Sequence, residues 1–219
     1  MQGNRLAADI GGTFTDVVLE TLGQRFTTKV LTTPQAPELG VLQGIEVVLK
    51  EAGVKPTEIS NFIHGTTLAT NALIERKGAV TAFVTTGGFR DILEMGYEKR
   101  FEQYDVFMDK PPALVPRPLR FTVTERISGS GAVLQKLDEA ELRGVAQQIK
   151  ASGATAVAIG FMHAYAYPQH ERRAREILAA ELPDVTICIS AEVCPEMREY
   201  ERFSTTTANA YVRPLMAGY

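Results

Sequence analysis

Asp9-Ile10-Gly11-Gly12-Thr13-Phe14-Thr15-Asp16 lies between two short apolar runs, residues 5–11 (RLAADIG) and 14–20 (FTDVVLE). β-Branched and apolar residues on both sides of a Gly-Gly turn read as two strands of a β-hairpin. An acid closes the first strand, and hydroxyls and a second acid follow the turn. Glycine has no Cβ, so the bare N–H groups of such a turn can approach phosphate oxygens, and threonine hydroxyls add donors. Asp9 would then hold Mg²⁺ through water, since that ion takes oxygen ligands and keeps several of its waters. The plainer alternative is a hairpin whose glycines supply positive φ, with Asp16 as a turn acceptor. Phosphate binding is favoured by the acid before the turn together with the polar groups after it. It is no Walker loop, because GxxxxGK[ST] occurs nowhere in the chain.

Outward from the hairpin, residues 25–31 form a third strand-like run on the same sheet. Apolar residues at 39, 42, 45, 48, 49 and 52 predict a helix over 38–52, closed by Gly53 and barred from continuing by Lys55-Pro56. A strand at 61–64, a helix at 66–77 and a strand at 79–85 complete a βββαβαβ order. A short helix at 89–95 follows, and residues 96–118 are irregular. Such a long irregular stretch is uncommon unless it has a function. A second alternation comes next: strands at 119–127 and 132–136, a helix at 138–151 with Asp138 as N-cap and Glu141 completing a capping box, a strand at 155–160, a helix at 169–181 and a strand at 184–189. Residues 197–211 read as a last helix. The expected division is therefore 1–118, 119–190 and 191–219.

Composition narrows the function. The 219 residues carry 23 Lys and Arg against 26 Asp and Glu, a net charge of −3, and 45% hydrophobic residues. No basic block suits a phosphodiester backbone or an anionic bilayer, so nucleic acid and membrane are not expected partners. No apolar window approaches a membrane span and the N-terminus is polar, so the expected location is cytoplasmic. Cys188 and Cys194, six residues apart, form no redox pair or disulfide framework and are taken as reduced.

Two further glycine motifs stand at strand ends. His64-Gly65-Thr66-Thr67, running on to Asn71, places a glycine and two hydroxyls at an expected helix N-terminus, where unpaired N–H groups attract anions. Against this, the threonines can simply cap the helix and Asn71 can face solvent. Thr85-Thr86-Gly87-Gly88-Phe89-Arg90-Asp91 sits where ligands collect in open α/β sheets. Arg90 either clamps a carboxylate or phosphate or pairs with Asp91 at the surface. In the irregular stretch, Arg100, Tyr104, Asp105 and Arg117 suit a substrate lid or a subunit contact. His64, His163 and His170 show no zinc spacing, and His170 reads as a solvated helix residue. The run 196–202 (EMREYER) reads as a solvent-facing charged surface. No GxSxG elbow is present, which disfavours a triad hydrolase.

As a set, DIGGTFTD at 9–16, HGTTLATNALIER at 64–76, VTTGGFRDILEMGYEKR at 84–100, the run from Ala113-Leu114-Val115-Pro116-Arg117-Pro118-Leu119-Arg120 onward, and SAEVCPEMREYERFSTTTANAYVRPLM at 190–216 resemble the N-terminal region of the hydantoinase A / 5-oxoprolinase family. That family includes the corresponding subunits of acetone carboxylases, and the resemblance spans nearly the whole chain in order. It implies an α/β fold: an RNase H-like lobe of an actin-like ATPase, its mixed sheet opened by the β-hairpin, followed by a second α/β segment. The first-strand acid and its turn, Asp9, Gly11, Gly12 and Thr13, become the first phosphate element. Thr15, Thr66 and Thr67 are further nucleotide candidates, Asp9 is the catalytic and Mg²⁺ residue, and Asp16, His64, Asn71 and Arg90 are substrate candidates.

The implied cofactors are ATP and Mg²⁺, and the implied activity is phosphorylation of the amide oxygen of a hydantoin or 5-oxoproline followed by hydrolysis. Implied partners are the small cyclic amide, a separate B-type subunit and further copies of the chain. A second lobe, which would supply another phosphate loop and the adenosine site, is expected outside these 219 residues, which read as a fragment of a longer subunit. The competing readings are a ketone carboxylase subunit, a small-molecule kinase of the same superfamily and a noncatalytic binding module.

Overall fold

The computed structural model describes residues 3–33, 36–97, 102, 104–108 and 111–217. The expectation for Arg100 lies outside them. By contacts the chain forms two compact units, one taking the chain up to Lys77 together with the residues after Pro214, the other Gly78–Pro214.

The first unit opens with β1 (Asn4–Ile10), β2 (Phe14–Thr21) and β3 (Gln24–Leu31), then α1 (Pro37–Ala52), β4 (Ile59–Thr66) and α2 (Leu68–Ile74). The sheet order is β3-β2-β1-β4, with β1, β2 and β3 antiparallel and β4 parallel to β1. A parallel return needs a crossover, and α1 supplies it. Strand alternation puts Leu6, Ala8, Ile10, Val17 and Leu19 on one face, where Val41, Val48 and Leu49 of α1 bury them. Gly53 caps α1 in the left-handed conformation at φ 65°, as its position predicts.

The face of α1 differs from the apolar spacing in its first turns. Leu39 and Leu42 are exposed, and Gly40 and Gly44 turn inward instead. A Cβ on residue 44 would stand 2.6 Å from Val17 Cγ2, so the helix approaches the sheet too closely for any side chain there. The expected 66–77 helix is shorter as well, only seven residues.

The second unit begins with β5 (Thr81–Thr86) and α3 (Ile92–Met95), followed by β6 (Arg120–Val123), β7 (Arg126–Ile127) and β8 (Val133–Gln135). It continues with α4 (Glu139–Ala151), β9 (Ala156–Gly160), α5 (Gln169–Glu181), β10 (Thr186–Ile189), α6 (Ser190–Val193) and α7 (Glu199–Ala217). Its main sheet is parallel, ordered β10-β9-β5-β6. Ala82, Val84, Val157, Ile159 and Ile189 pack on one face against Leu142, Val145 and Ile149 of α4 and Ala174, Ile177 and Leu178 of α5. Phe83, Ala156, Ala158 and Cys188 pack on the other against Phe203 and Ala210 of α7. Covering on both faces is what makes β5 and β9 buried at every residue.

Several expectations change here. β5, the strand expected near 79–85, pairs with β6 and β9, and the compact units part at Lys77/Gly78. Asp138 does cap α4, its Oδ1 accepting the N–H groups of Ala140 and Glu141. The capping box is not completed, because the Asp138 N–H is bonded to the Thr124 carbonyl and Glu141 accepts the Thr124 N–H. His170 is nearly enclosed against Glu125 instead of solvated. Within 196–202, Arg202 is fully buried. The last helix runs past Pro214, and the Tyr211 carbonyl one turn earlier accepts the Ala79 N–H. Both cysteines are free thiols. No helix among the described residues is long and apolar enough to cross a membrane.

Candidate functional site

The end of β1 and the hairpin turn form the candidate site. Gly11 donates its N–H to the Phe14 carbonyl at 2.9 Å, closing the turn. The N–H groups of Gly12 and Thr13 have no partner among the described residues. Neither glycine has positive φ, so the plainer hairpin explanation fails. What requires glycine is proximity: a Cβ on residue 11 would meet the Phe14 carbonyl at 2.9 Å, and one on residue 12 would meet Asn71 Nδ2 at 2.9 Å.

The junction of β4 and α2 meets this turn. Ile10 accepts the Thr67 N–H at 3.0 Å and the Thr67 hydroxyl at 3.3 Å, with the Thr66 hydroxyl at 3.5 Å. Thr66 Oγ1 also accepts the Leu68 N–H, and Asn71 Nδ2 donates to Thr67 Oγ1. Two motifs more than fifty residues apart are thus joined through one carbonyl. The threonine hydroxyls are engaged with protein, and α2 is too short for an anion site built on its dipole, so Thr66 and Thr67 act as supports of the turn. Thr15 is also a support. It is fully buried and bonded at 3.0 Å to Thr32, which in turn donates to the Gly11 carbonyl at 3.0 Å. Sequence reasoning missed Thr32 because its partner lies in a different strand. The β-strand alternation that turns Thr15 inward was the available signal.

Asp9 is exposed, and its carboxylate has no hydrogen bond or ion pair among the described residues. Its register partners are Asp16 on β2 and Gly65 on β4. A Cβ at 65 would lie only 3.5 Å from Asp9 Oδ1, so glycine there leaves the carboxylate open on that side. Asp16 pairs with Lys29 Nζ at 3.1 Å. Two carboxylates in register on β1 and β2, with one lysine beside Asp16 on β3, leave negative charge that a cation can neutralise. Among the described residues no group of three or more His, Cys, Asp or Glu could hold a metal ion. A cation at Asp9 would therefore draw most ligands from water and phosphate, which suits Mg²⁺. His64, in register with the inward-facing Ala8, lies on the opposite face and stacks on Phe62.

Arg90 belongs to the second unit. Its Nη2 donates to the Arg117 carbonyl at 3.2 Å, and its Nε is buried without a hydrogen-bond partner among the described residues. Asp91 instead takes both Nε and Nη2 of Arg117, a bidentate pair that holds its carboxyl below the usual range. The fully buried Arg120 ties Val115 to Glu94. A second buried charge follows on α5: Glu171 accepts the N–H groups of Phe161 and Ala191 and the Ser190 hydroxyl. Burial pushes its carboxyl up to about 7 despite those donors.

Residues 5–182 match the hydantoinase/oxoprolinase N-terminal region. The chain belongs to the hydantoinase/oxoprolinase family. It is 38% identical over 225 residues to the caprolactamase subunit alpha of Pseudomonas jessenii, covering 100% of this chain and 32% of that one. The crystal structure of ATP-dependent caprolactamase from the same organism superposes with a TM-score of 0.86 at 37% identity, over 98% of this chain and 32% of that chain. A nucleotide-free structure of acetone carboxylase, studied for ATP-dependent acetone carboxylation, gives a TM-score of 0.87 at 27% identity, over 98% and 33%. The chain thus spans about a third of the length of these relatives.

Proposed function

We propose that this chain is the N-terminal part of an ATP-dependent cyclic amidohydrolase acting on hydantoins or 5-oxoproline, and that the β1–β2 turn is its first phosphate element. The supporting observation is an Asp9 carboxylate and two N–H groups, of Gly12 and Thr13, that have no partner among the described residues, with Gly12 close to Asn71. The β3-β2-β1-β4 order, with three antiparallel strands and a parallel fourth, supports assigning this unit to the RNase H-like lobes of actin-like ATPases.

In this reading Gly12 and Thr13 donate to phosphate oxygens, and Asp9, with Asp16 beside it, holds Mg²⁺ through water. Thr15, Thr32, Thr66 and Thr67 fix the turn so that those donors are already in place before ligand arrives, which is the main protein contribution in phosphoryl transfer. Bound MgATP supplies the phosphoryl group that turns an unreactive amide into an electrophile. Substrate, a B-type partner subunit and self-association belong to the complete protein.

The test is ATP hydrolysis by the complete protein with its partner subunit, offered hydantoin, 5-oxoproline or caprolactam in one series and a ketone with bicarbonate in another. Turnover stimulated by a cyclic amide, with phosphate released and no phosphorylated product, is the expected result. Stimulation only by the ketone series makes it a carboxylase, a phosphorylated product makes it a kinase, and MgATP binding absent altogether makes it a binding module.

A further inference from the structure

The parallel sheet of the second unit reverses its strand order between β5 and β9: the chain moves from β5 to β6 on one side and returns to β9 and β10 on the other. In open α/β sheets, ligands bind outside the carboxyl ends of the strands at such a reversal. Three segments meet in this sheet at that edge. Thr86, the last residue of β5, donates its hydroxyl to Glu125 Oε1 and accepts the Met162 N–H at 3.0 Å. Glu125 follows β6, and its side chain is fully buried. Its Oε2 lies 2.7 Å from Nδ1 of His170, the second residue of α5.

A buried carboxylate that already accepts a hydroxyl is best satisfied by a donor on its other oxygen, which selects, for the uncharged imidazole, the tautomer with its proton on Nδ1. Nε2 is then left as an acceptor. It has no partner among the described residues, while the side chain keeps 12% of its exposure. Two other polar groups near this strand edge have no protein partner among the described residues. His163, in the loop between β9 and α5, has a buried Nδ1 without a partner among the described residues and a φ of 60°. Gly88, two residues beyond Thr86, has a φ of 89°, open space where a Cβ would stand and an N–H without a partner among the described residues. Strained backbone and unpaired buried polar atoms both concentrate where ligands bind.

We propose that this edge is a binding site for the cyclic amide, in which Nε2 of His170, aimed by Glu125 and Thr86, accepts the amide N–H. This rests on the amidohydrolase reading and names the group in this chain that recognises its substrate. A cyclic amide presents an N–H donor beside a carbonyl acceptor. The second unit offers an imidazole acceptor on α5 and, just beyond β5, a glycine N–H without a partner among the described residues. His170 is a ligand-contacting residue in this scheme, and Glu125 and Thr86 are positioning residues.

His170→Asn separates contact from scaffolding, because the asparagine amide can still donate to Glu125 from nearly the Nδ1 position but has nothing where Nε2 was. In the complete protein, H170N is expected to raise KM for the stimulating cyclic amide about tenfold while KM for ATP and the melting temperature stay at wild-type values. A wild-type KM for the cyclic amide in H170N overturns the proposal and leaves the amidohydrolase reading standing. Failure of every cyclic amide to stimulate the unmodified protein overturns both. Carbethoxylation of His170 in the unmodified protein, followed by mass spectrometry with and without saturating hydantoin, needs no variant. Protection supports the contact, and unchanged labelling contradicts it.

Discussion

Asn71 Nδ2 stands 2.9 Å from the point that a Cβ on residue 12 would occupy, so the tip of the hairpin turn and the first helix after β4 are as close as the chain allows. Because the Gly12 φ is not positive, the cost of a side chain there is crowding and not backbone strain.

Gly12→Ala therefore tests the cradle with little risk to the fold. The atom it displaces is the end of a flexible side chain, so the stability change should stay below about 1 kcal/mol. If the new methyl and the displaced Asn71 crowd the space in front of the turn, MgATP binding should weaken about tenfold. Adding Asn71→Ala should restore most of that loss if crowding is the cause. Calorimetric titration of the single and double variants checks both steps.

Gly160 presents the opposite case. A Cβ at the end of β9 would lie 2.3 Å from Cδ1 of Phe203, whose ring is fully buried and packed 5.5 Å from that of Phe83. The ring has nowhere to move, so Gly160→Ala should lose about 1–3 kcal/mol or more. Phe203→Leu in the same background should recover part of it. Urea midpoints of the three proteins measure the effect.

Glu171 predicts a pH dependence of stability. Its carboxyl titrates near 7 when folded, against 4.5 for the free side chain, chiefly because burial disfavours the charge. The folded state therefore holds the proton more tightly. Its contribution is fully present below pH 4.5, shrinks as pH rises through 7, and is gone above that. The shift corresponds to about 3 kcal/mol between the two ends of that window. Thermal melts of Glu171→Gln, which cannot ionise, should lack this decline, whereas the unmodified protein shows it.

The hairpin, the three-strand opening and the second α/β alternation were legible because each rests on local signals: strand alternation, glycine turns, the Gly53 cap and Asp138 at an N-cap. The assignment of β5 to the second sheet was not legible, since a fully buried strand carries no alternation to show which neighbours it pairs with. The same limit hid the burial of Arg202 and His170. Each sits in a charged helical segment, and partners distant in sequence, Phe161 and Ser190 for Arg202 and Glu125 for His170, help draw the polar side chain inward. At the candidate site, the hairpin turn that carries Asp9, Gly11 and Gly12 could be read from its motif, but not its closeness to Asn71. The supporting role of Thr15 could not, because its partner Thr32 is brought to it only by pairing of β2 with β3.

Asp9 is the residue at the centre of the proposed phosphate and Mg²⁺ site. It faces Asp16 in register, so Asp9→Asn removes like-charge repulsion, and the melting temperature should hold or rise slightly. ATP turnover by the complete protein in the presence of its cyclic amide is the deciding measurement. A fall of about a hundredfold or more with the fold intact is the predicted result. Turnover within about threefold of the unmodified protein would contradict the phosphate and Mg²⁺ site placed at the end of β1.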